Sequence, residues 1–243
     1  MTQGLSESFG FETVAAAERE RRIRQVFDAV APRYDLMNDA MSFGIHRLWK
    51  RAMARAVRPA PGEVIVDLAG GTGDVARLLA ADDRKVVVCD PCAAMMAVGR
   101  RRCAGKAVDF VEGRAEAMPF PDQSVDALTI AFGLRNATDP QTALAEIVRV
   151  LKPGGRFFCL EFSRPWAVVR PFYDAYSFAV IPRLGAWVAR QPLAYAYLIE
   201  SIRRFPDQGE LATLMRRAGL DGVGWRNFSA GIACLHSGVK PAS

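Results

Sequence analysis

The sequence predicts an α/β fold in which helices flank a parallel sheet and an antiparallel hairpin completes it. From Glu63 onward, short β-branched runs alternate with helical patterns, which is typical of βαβ units. The predicted parallel strands are Val64–Leu68, Lys85–Cys89, Val108–Glu112, Val125–Phe132 and Gly155–Phe162. Two later runs, Asp221–Phe228 and Gly231–Ser237, are separated only by Ser229 and Ala230. Such a short connection requires an antiparallel pair, because parallel strands need a long crossover.

The composition is that of an ordinary globular domain. The 243 residues are 51% hydrophobic and 24% charged, so a continuous core can form without disulfides. The five cysteines are odd in number, which is typical of reduced thiols in the cytosol. No stretch has the pattern of a signal peptide or of a membrane span. We therefore expect a cytoplasmic protein.

The net charge of +6 comes without any nucleic-acid-binding motif, so we expect no nucleic-acid partner. A basic amphipathic helix is predicted near the N-terminus. Its arginines are Arg19, Arg21, Arg22 and Arg24, and its apolar residues are Ile23, Val26, Phe27 and Val30. The simpler interpretation is a solvated surface helix. The other is a peripheral contact with an anionic membrane at its inner face.

A glycine-rich turn follows the first predicted strand. Gly71, Thr72 and Gly73 allow the backbone to approach a ligand closely before the next helix begins. This spacing also fits a dinucleotide fingerprint, and Asp90 could bind ribose hydroxyls in either kind of site. This loop alone therefore does not exclude an NAD-binding oxidoreductase. Asp67, just before the glycines, would repel a pyrophosphate but could help to hold a cationic ligand.

Two longer stretches carry a resemblance to a known family. Residues 34–49 read YDLMNDAMSFGIHRLW, and residues 149–163 contain the turn Lys152-Pro153-Gly154-Gly155. Both resemble signatures of the ubiquinone/menaquinone-biosynthesis C-methyltransferases, and the likeness runs from about Glu18 to His236. It implies a Rossmann-like class I S-adenosylmethionine-dependent methyltransferase fold, with N-terminal helices and a helical insertion as lids.

The resemblance also implies which residues contact the cofactor, S-adenosyl-L-methionine. These residues are Asp67, Gly71, Thr72, Asp90, Arg114, Ala115 and Ala131. Asp90 would take the ribose hydroxyls, and residues 114 and 115 would flank adenine. Two positions depart from the family's pattern: Arg114 stands where Asn or Asp is usual, and Ala131 stands where Ser is usual. The Arg114 guanidinium offers donors only, so it cannot supply the acceptor that Asn or Asp would.

By the same resemblance, the substrate is a prenylated quinol and its ring contacts Arg135, Asn136 and Tyr34. Because a guanidinium stays protonated, we expect Arg135 to stabilise a phenolate or position water rather than act as a base. Asn136 would orient the ring hydroxyl, and Tyr34 would close the site or relay a proton. His46 is the alternative base, but a packing role is favoured for it. No metal is expected, since Cys89 and Cys92 have no second ligand pair.

We expect one domain over residues 1–243, with four segments. Residues 1–60 form an N-terminal helical lid, 61–163 the cofactor-binding core, 164–206 a helical insertion, and 207–243 the last helix and the hairpin. Aromatic residues of the insertion could line a tunnel for an isoprenoid tail or form an ordinary core. These residues are Trp166, Phe172, Tyr173, Tyr176, Phe178 and Trp187.

Three functions remain open on the sequence. The leading one is methylation of demethylmenaquinol or of a 2-polyprenyl-6-methoxy-1,4-benzoquinol. The second is methylation of another phenolic or polyketide ring, which Arg114 and Ala131 would favour. The third is an NAD-binding oxidoreductase, or a catalytically silent cofactor-binding module in a quinone-synthesis complex. Association as a homo-oligomer stays open too.

Overall fold

The computed structural model describes residues 8–9, 12–179 and 192–242. The strands of its main sheet are β1 (Val64–Leu68), β2 (Lys85–Asp90), β3 (Val108–Glu112), β4 (Val125–Ala131), β5 (Leu151–Phe162), β6 (Asp221–Phe228) and β7 (Ala233–Val239). They lie in the order β3-β2-β1-β4-β5-β7-β6. Strands β1 to β5 are parallel, whereas β7 runs antiparallel to both β5 and β6. The predicted fold class is confirmed.

Helices connect these strands and precede them. They are α1 (Ala16–Val30), α2 (Tyr34–Ser42), α3 (Ile45–Val57), α4 (Asp74–Leu79), α5 (Ala93–Arg102), α6 (Pro140–Val150), α7 (Arg170–Ala179), α8 (Pro192–Arg204) and α9 (Gln208–Arg217). Short 3-10 turns cover Ala31–Arg33, Leu134–Asn136 and Ser229–Gly231, and Ser8–Phe9 pairs with Glu12–Thr13 in a small ribbon. Within the described part of the chain, no helix is both long and apolar enough to cross a membrane.

The central strands are rich in apolar residues because both faces of the sheet are covered. Along β2, Val86 and Val88 pack into one core with residues of α3 and α4. Val87 and Cys89 point to the opposite face and pack into a second core with residues of α6 and α9. The alternation of side chains along a strand therefore serves two cores at once.

The ends of β4 and β5 differ from the prediction. β4 ends one residue early, at Ala131, because Phe132 takes a left-handed conformation with a φ of 59°. β5 begins at Leu151 instead of Gly155, since Leu151 already pairs with Val125 of β4. The register then shifts before the next pair forms. The predicted turn at residues 152–155 is therefore a bulge within the strand.

The terminal hairpin is present, but its connection is longer than predicted. β7 begins at Ala233 rather than Gly231. The turn Ser229–Gly231 comes first, and Ser229 and Ala230 both have positive φ, at 46° and 55°. The hairpin thus closes through a short turn that contains two left-handed non-glycine residues.

Helix α1 buries its apolar side within the protein. Ile23 and Val30 are 9% and 2% exposed, and Arg19 is only 2% exposed. Arg21 and Arg24 remain exposed, as expected for a surface helix. The helix therefore packs its apolar side against the protein, and Arg19 is buried with that side rather than solvated.

Candidate functional site

Three cavities meet at the carboxyl ends of β1, β2 and β4. The strand-end cavity is lined by residues that include Asp90, Arg114, Ala115, Ala131 and Asn136. The glycine-loop cavity is lined by residues that include Lys50, Asp67, Gly71, Thr72 and Asp74. The aromatic cavity is lined by residues that include His46, Trp49, Phe132, Arg135, Phe172 and Tyr173. Tyr34 lines all three. The structure therefore brings the ten predicted site residues together around one point.

The turn after β1 needs glycine for two physical reasons. Gly71 and Gly73 have positive φ values of 48° and 74°, which glycine adopts without a steric penalty. At Gly70, a Cβ atom would lie 2.7 Å from Asp67 Oδ2, closer than real Cβ contacts. The loop can therefore fold tightly over the end of β1 only with these residues.

Asp90 ends β2 and holds the glycine loop. Its Oδ2 accepts a hydrogen bond from the Gly71 N–H at 2.9 Å, and its Oδ1 accepts one from the Cys92 N–H at 2.8 Å. Burial raises the pKa of Asp90 to about 6, although these two N–H groups act to lower it. Each oxygen keeps a second lone pair for a ligand.

Binding of a ligand to ionised Asp90 should depend on pH. Because the pKa of Asp90 is about 6, the carboxylate gains a proton as the pH falls through that value. We expect the affinity for S-adenosylmethionine to drop about ten-fold for each pH unit below 6, as linkage requires for one proton. Calorimetric titration between pH 5 and 8 measures this. Asp90→Asn cannot ionise and should lack the step at 6, and a step that persists in that variant would contradict the assignment.

Asp67 lies beneath the glycine loop. Its Oδ1 accepts a hydrogen bond from Thr129 Oγ1 at 2.8 Å, and its Oδ2 accepts one from the Ala76 N–H at 3.1 Å. The side chain is 1% exposed, and burial raises its pKa to about 7. In this structure Asp67 therefore supports β4 and the start of α4, in addition to lining the glycine-loop cavity.

Thr72 belongs to a network that the sequence did not predict. Its Oγ1 donates to Asp35 Oδ1 of α2 at 3.4 Å, and Asp35 also pairs with Arg102. Arg102 contacts Asp74 at 2.7 Å, and Asp74 accepts from Lys50 of α3 at 2.9 Å. These ion pairs are partly buried, which strengthens them relative to surface pairs. They connect the N-terminal helices to the glycine loop.

Arg114 does not face the strand-end cavity as a lone cation. Its Nη1 donates to Glu20 Oε2 of α1 at 2.6 Å, and its Nε lies 3.8 Å from Glu116 Oε2. Glu20 also lines the strand-end cavity. The residue that departs from the family pattern therefore connects α1 to the loop after β3.

The Glu20–Arg114 pair should slow the release of a ligand from the strand-end cavity, because it holds α1 as one wall. Glu20→Gln removes the charge and should speed the dissociation of S-adenosylhomocysteine about two- to five-fold, as expected for an exposed ion pair. Stopped-flow fluorescence measures this rate. Glu18→Gln is the matched control, because Glu18 pairs only with Arg21 and Arg22 of α1 among the ion pairs of the described residues. Equal rates in both variants would contradict the role.

Arg135 forms a buried ion pair, which was an alternative to its substrate role, with a partner that the sequence did not identify. Its Nη1 donates to Glu161 Oε2 at 2.9 Å, and its backbone N–H donates to Glu161 Oε1 at 3.2 Å. The two residues are 6% and 1% exposed. Burial raises the pKa of Glu161, and the guanidinium opposes that rise. A signal was present, since Glu161 is a charge within the otherwise apolar run FFCLEF.

Asn136 and its turn are held by two further residues. Asn136 Oδ1 accepts from the Tyr197 hydroxyl at 2.9 Å. Arg19 donates to the carbonyls of residues 135, 136 and 137 at 3.1 to 3.3 Å. The sequence analysis missed both contacts. Arg19 lies four residues before Ile23 and eleven before Val30, on the apolar stripe of α1, and that position was a usable signal.

The aromatic residues of the insertion have different locations. Phe172, Tyr173 and Tyr176 line the aromatic cavity. Trp166 is 60% exposed and does not belong to that lining. The side chain of Phe178, and Trp187, lie outside the described residues. The tunnel hypothesis is therefore supported by three of the six predicted residues.

Cys89 and Cys92 are buried free thiols. Burial raises the pKa of Cys89 to about 12 and that of Cys92 to about 11. Both side chains therefore stay protonated at neutral pH, and protonated thiols are poor nucleophiles.

The chain is similar to known methyltransferases in sequence and in fold. The model of the ubiE/COQ5 methyltransferase family matches residues 15–240. The chain is 62% identical to the ubiquinone/menaquinone biosynthesis C-methyltransferase UbiE of Rubrivivax gelatinosus, over 98% of this chain and 95% of the relative. It is 51% identical to the protein of the same name from Acidiphilium cryptum, over 98% of each chain. A solved SAM-dependent methyltransferase from Thermotoga maritima has a TM-score of 0.65 and 21% identity, over 89% of this chain and 98% of that one. At this identity the last comparison shows the fold alone.

Proposed function

The chain belongs to the ubiE/COQ5 methyltransferase family, and from this we propose that it methylates a ring carbon of a prenylated quinol in ubiquinone or menaquinone biosynthesis. The observation that carries the proposal is the junction of the three cavities at Tyr34. The strand-end cavity, which contains the buried carboxylate of Asp90, and the largely apolar aromatic cavity meet at Tyr34 and Phe132. The family assignment also decides against the oxidoreductase and against a silent module.

S-adenosylmethionine supplies an electrophilic methyl group carried on a positively charged sulfur. The residues present fit this molecule. Asp90 offers a buried carboxylate for two ribose hydroxyls, and Ala115 offers a backbone N–H beside an apolar wall where adenine would lie. Gly71 and Thr72 would lie along the methionine part, with Ala131 bordering it, while Arg114 closes the cavity from outside through Glu20.

We infer that Arg135 acts on the substrate through its Nε–H group. Its Nη1 is engaged by Glu161, whereas its buried Nε has no hydrogen-bond partner in the described part of the chain. The Arg135–Glu161 pair has no net charge. It therefore offers the substrate a fixed N–H donor rather than a free positive charge. We assign this Nε–H to the oxygen of the substrate ring, which develops negative charge as the ring carbon attacks.

The remaining catalysis comes from positioning of the two reactants. When they are held at attack distance, they lose little further entropy on reaching the transition state. Tyr34 separates the two ligands and closes the site. Asn136 is oriented by Tyr197 and would fix the ring hydroxyl. Helices α1 to α3, together with α7 and α8 of the insertion, would act as lids over this junction, and residues 61–163 would bind the cofactor.

The mouth of the aromatic cavity suits a lipid-soluble substrate. Phe43 and Phe172 both line this cavity and are 77% and 76% exposed. The side chains of Arg47 and Arg170 are 46% and 65% exposed, where they pair with Asp39 and Asp174. Exposed aromatic and basic residues at one opening are the features of a peripheral membrane contact. This face, rather than α1, is our candidate for that contact.

Turnover on defined quinols tests the function. Purified protein, S-adenosylmethionine and reduced demethylmenaquinone or demethylated benzoquinone in phospholipid vesicles should yield a product heavier by one methyl group, detected by mass spectrometry. Comparison of the two head groups identifies the substrate. Methylation of a tail-less phenol with neither quinol accepted would favour the phenolic or polyketide alternative and overturn the proposal.

A further inference from the structure

We propose that the imidazole of His46 receives the hydroxyl proton of the substrate ring, an inference that rests on the proposed quinol methylation. His46 lies in the first turn of α3 and is 3% exposed. It lines the aromatic cavity together with Arg135 and Trp49. The packing role expected from the sequence describes its burial but not its hydrogen bonds.

The hydrogen bonds of Ser42 fix the tautomer of His46. The Ser42 hydroxyl donates its single proton to the carbonyl of Asn38 at 2.7 Å. His46 Nδ1 lies 2.7 Å from the same hydroxyl oxygen. Because that oxygen has no proton left to give, Nδ1 must be the donor. The proton of the neutral ring therefore sits on Nδ1, and Nε2 carries a lone pair.

That lone pair has no partner within the described residues. His46 Nε2 and Arg135 Nε are both buried without a hydrogen bond, and both residues line the aromatic cavity. His46 Nε2 can only accept a hydrogen bond, and Arg135 Nε can only donate one. A ring hydroxyl is both, so it can donate to Nε2 of His46 and accept from Nε of Arg135.

The surroundings keep the imidazole neutral before the reaction. Burial lowers the pKa of His46 to about 4, and Lys50 and Arg47 act in the same direction. Asp39 and Asp74 oppose them, with Asp39 Oδ1 3.8 Å from Nδ1. A neutral ring can accept a hydrogen bond at any physiological pH, and Asp39 stabilises the imidazolium when it forms.

The proton balance follows from the chemistry of the ring. As the ring carbon bonds to the methyl group, the methyl–sulfur bond breaks and leaves its electron pair on sulfur. The ring hydroxyl becomes strongly acidic at that moment, and its proton moves to Nε2. The methylated carbon then loses its own hydrogen to water, and the ring oxygen takes the proton back from Nε2. One proton is released to solvent for each methyl group transferred.

Binding of a simple probe tests the contact without cofactor or turnover. Wild type should bind 1-naphthol about two- to ten-fold more tightly than 1-methoxynaphthalene, because only the first donates a hydrogen bond. His46→Phe should lose this preference. His236→Phe is the matched control, because His236 is 1% exposed and its Nε2 bonds to the Gln208 carbonyl. A preference that is absent in wild type or survives in His46→Phe overturns the proposal.

Nitrogen-15 spectra of histidine-labelled protein give a second readout. Nδ1 of His46 should be protonated and Nε2 unprotonated, and 1-naphthol should shift Nε2 only. A protonated Nε2 in the free protein would overturn the proposal. In the loaded enzyme, His46→Gln should lower turnover at least about 10²-fold at unchanged cofactor affinity. Failure of quinol methylation in wild type would reject the proposed function. The probe-binding and nitrogen-15 experiments would still test the hydrogen bond to His46, because neither needs turnover.

Discussion

Glu161→Ala is expected to lower the free energy of unfolding by about 3–5 kcal/mol, because it leaves the guanidinium of Arg135 buried without its counterion. The backbone N–H of Arg135 loses its acceptor in the same variant. Turnover should fall by about 10²-fold or more, since the N–H assigned to the ring oxygen is displaced. Urea unfolding and single-turnover kinetics measure the two effects.

Two further variants separate stability from activity in this pair. Arg135→Met with Glu161→Leu removes both charges and should recover much of the lost stability, because a buried ion pair is often replaceable by apolar residues. It should remain inactive. Asp122→Ala is the surface control, as Asp122 pairs with Arg149 and its side chain is 74% exposed, and it should cost less than about 1 kcal/mol. Activity in the double variant would show that Arg135 is structural.

Asp90→Ala is expected to weaken binding of S-adenosylmethionine by about 10²- to 10⁴-fold. Two ribose hydroxyls lose a charged acceptor, and each such bond contributes about 1.5–3 kcal/mol. The Gly71 and Cys92 N–H groups also lose their partner, which loosens the glycine loop. Isothermal calorimetry measures the dissociation constant.

Glu112→Ala is the matched control for this variant. Glu112 stands opposite Asp90 in the register of β2 and β3, at the same edge of the sheet, but its side chain is exposed. Its removal should leave binding unchanged. Equal losses in both variants would show that charge at this edge, and not the Asp90 contact, governs affinity.

The sheet could be predicted because β1 and β2 are short and buried on both faces, so they appear as largely apolar runs with clear ends. The ends that moved are those where the backbone departs from regular geometry, at the positive φ of Phe132 and the bulge at 152–155. No local pattern reports such departures. The cofactor side of the site followed from the family signatures and the glycine turn.

The side-chain partners could not be predicted in the same way. Arg114, Arg135 and Asn136 stand out in the sequence as single residues. Each is held by a group far away in the chain, and these partners are Glu20, Glu161 and Tyr197. The pairing of charged side chains depends on how the helices pack. The sequence does not give the distances between those side chains. Only the out-of-place charges, Arg19 and Glu161, signalled that a partner must exist.

The turn Leu134–Asn136 also bears on the order in which the molecule assembles. Its anchors come from α1, β5 and α8, at separations of up to 117 residues from the turn. Contacts between such distant segments require large loops to close, and they form late in folding. A nascent chain cannot complete the turn until Tyr197 has left the ribosome. A chain that lacks α1 should keep every strand of the sheet but fail to position Arg135 and Asn136. The protein therefore gains its catalytic activity only at the end of folding.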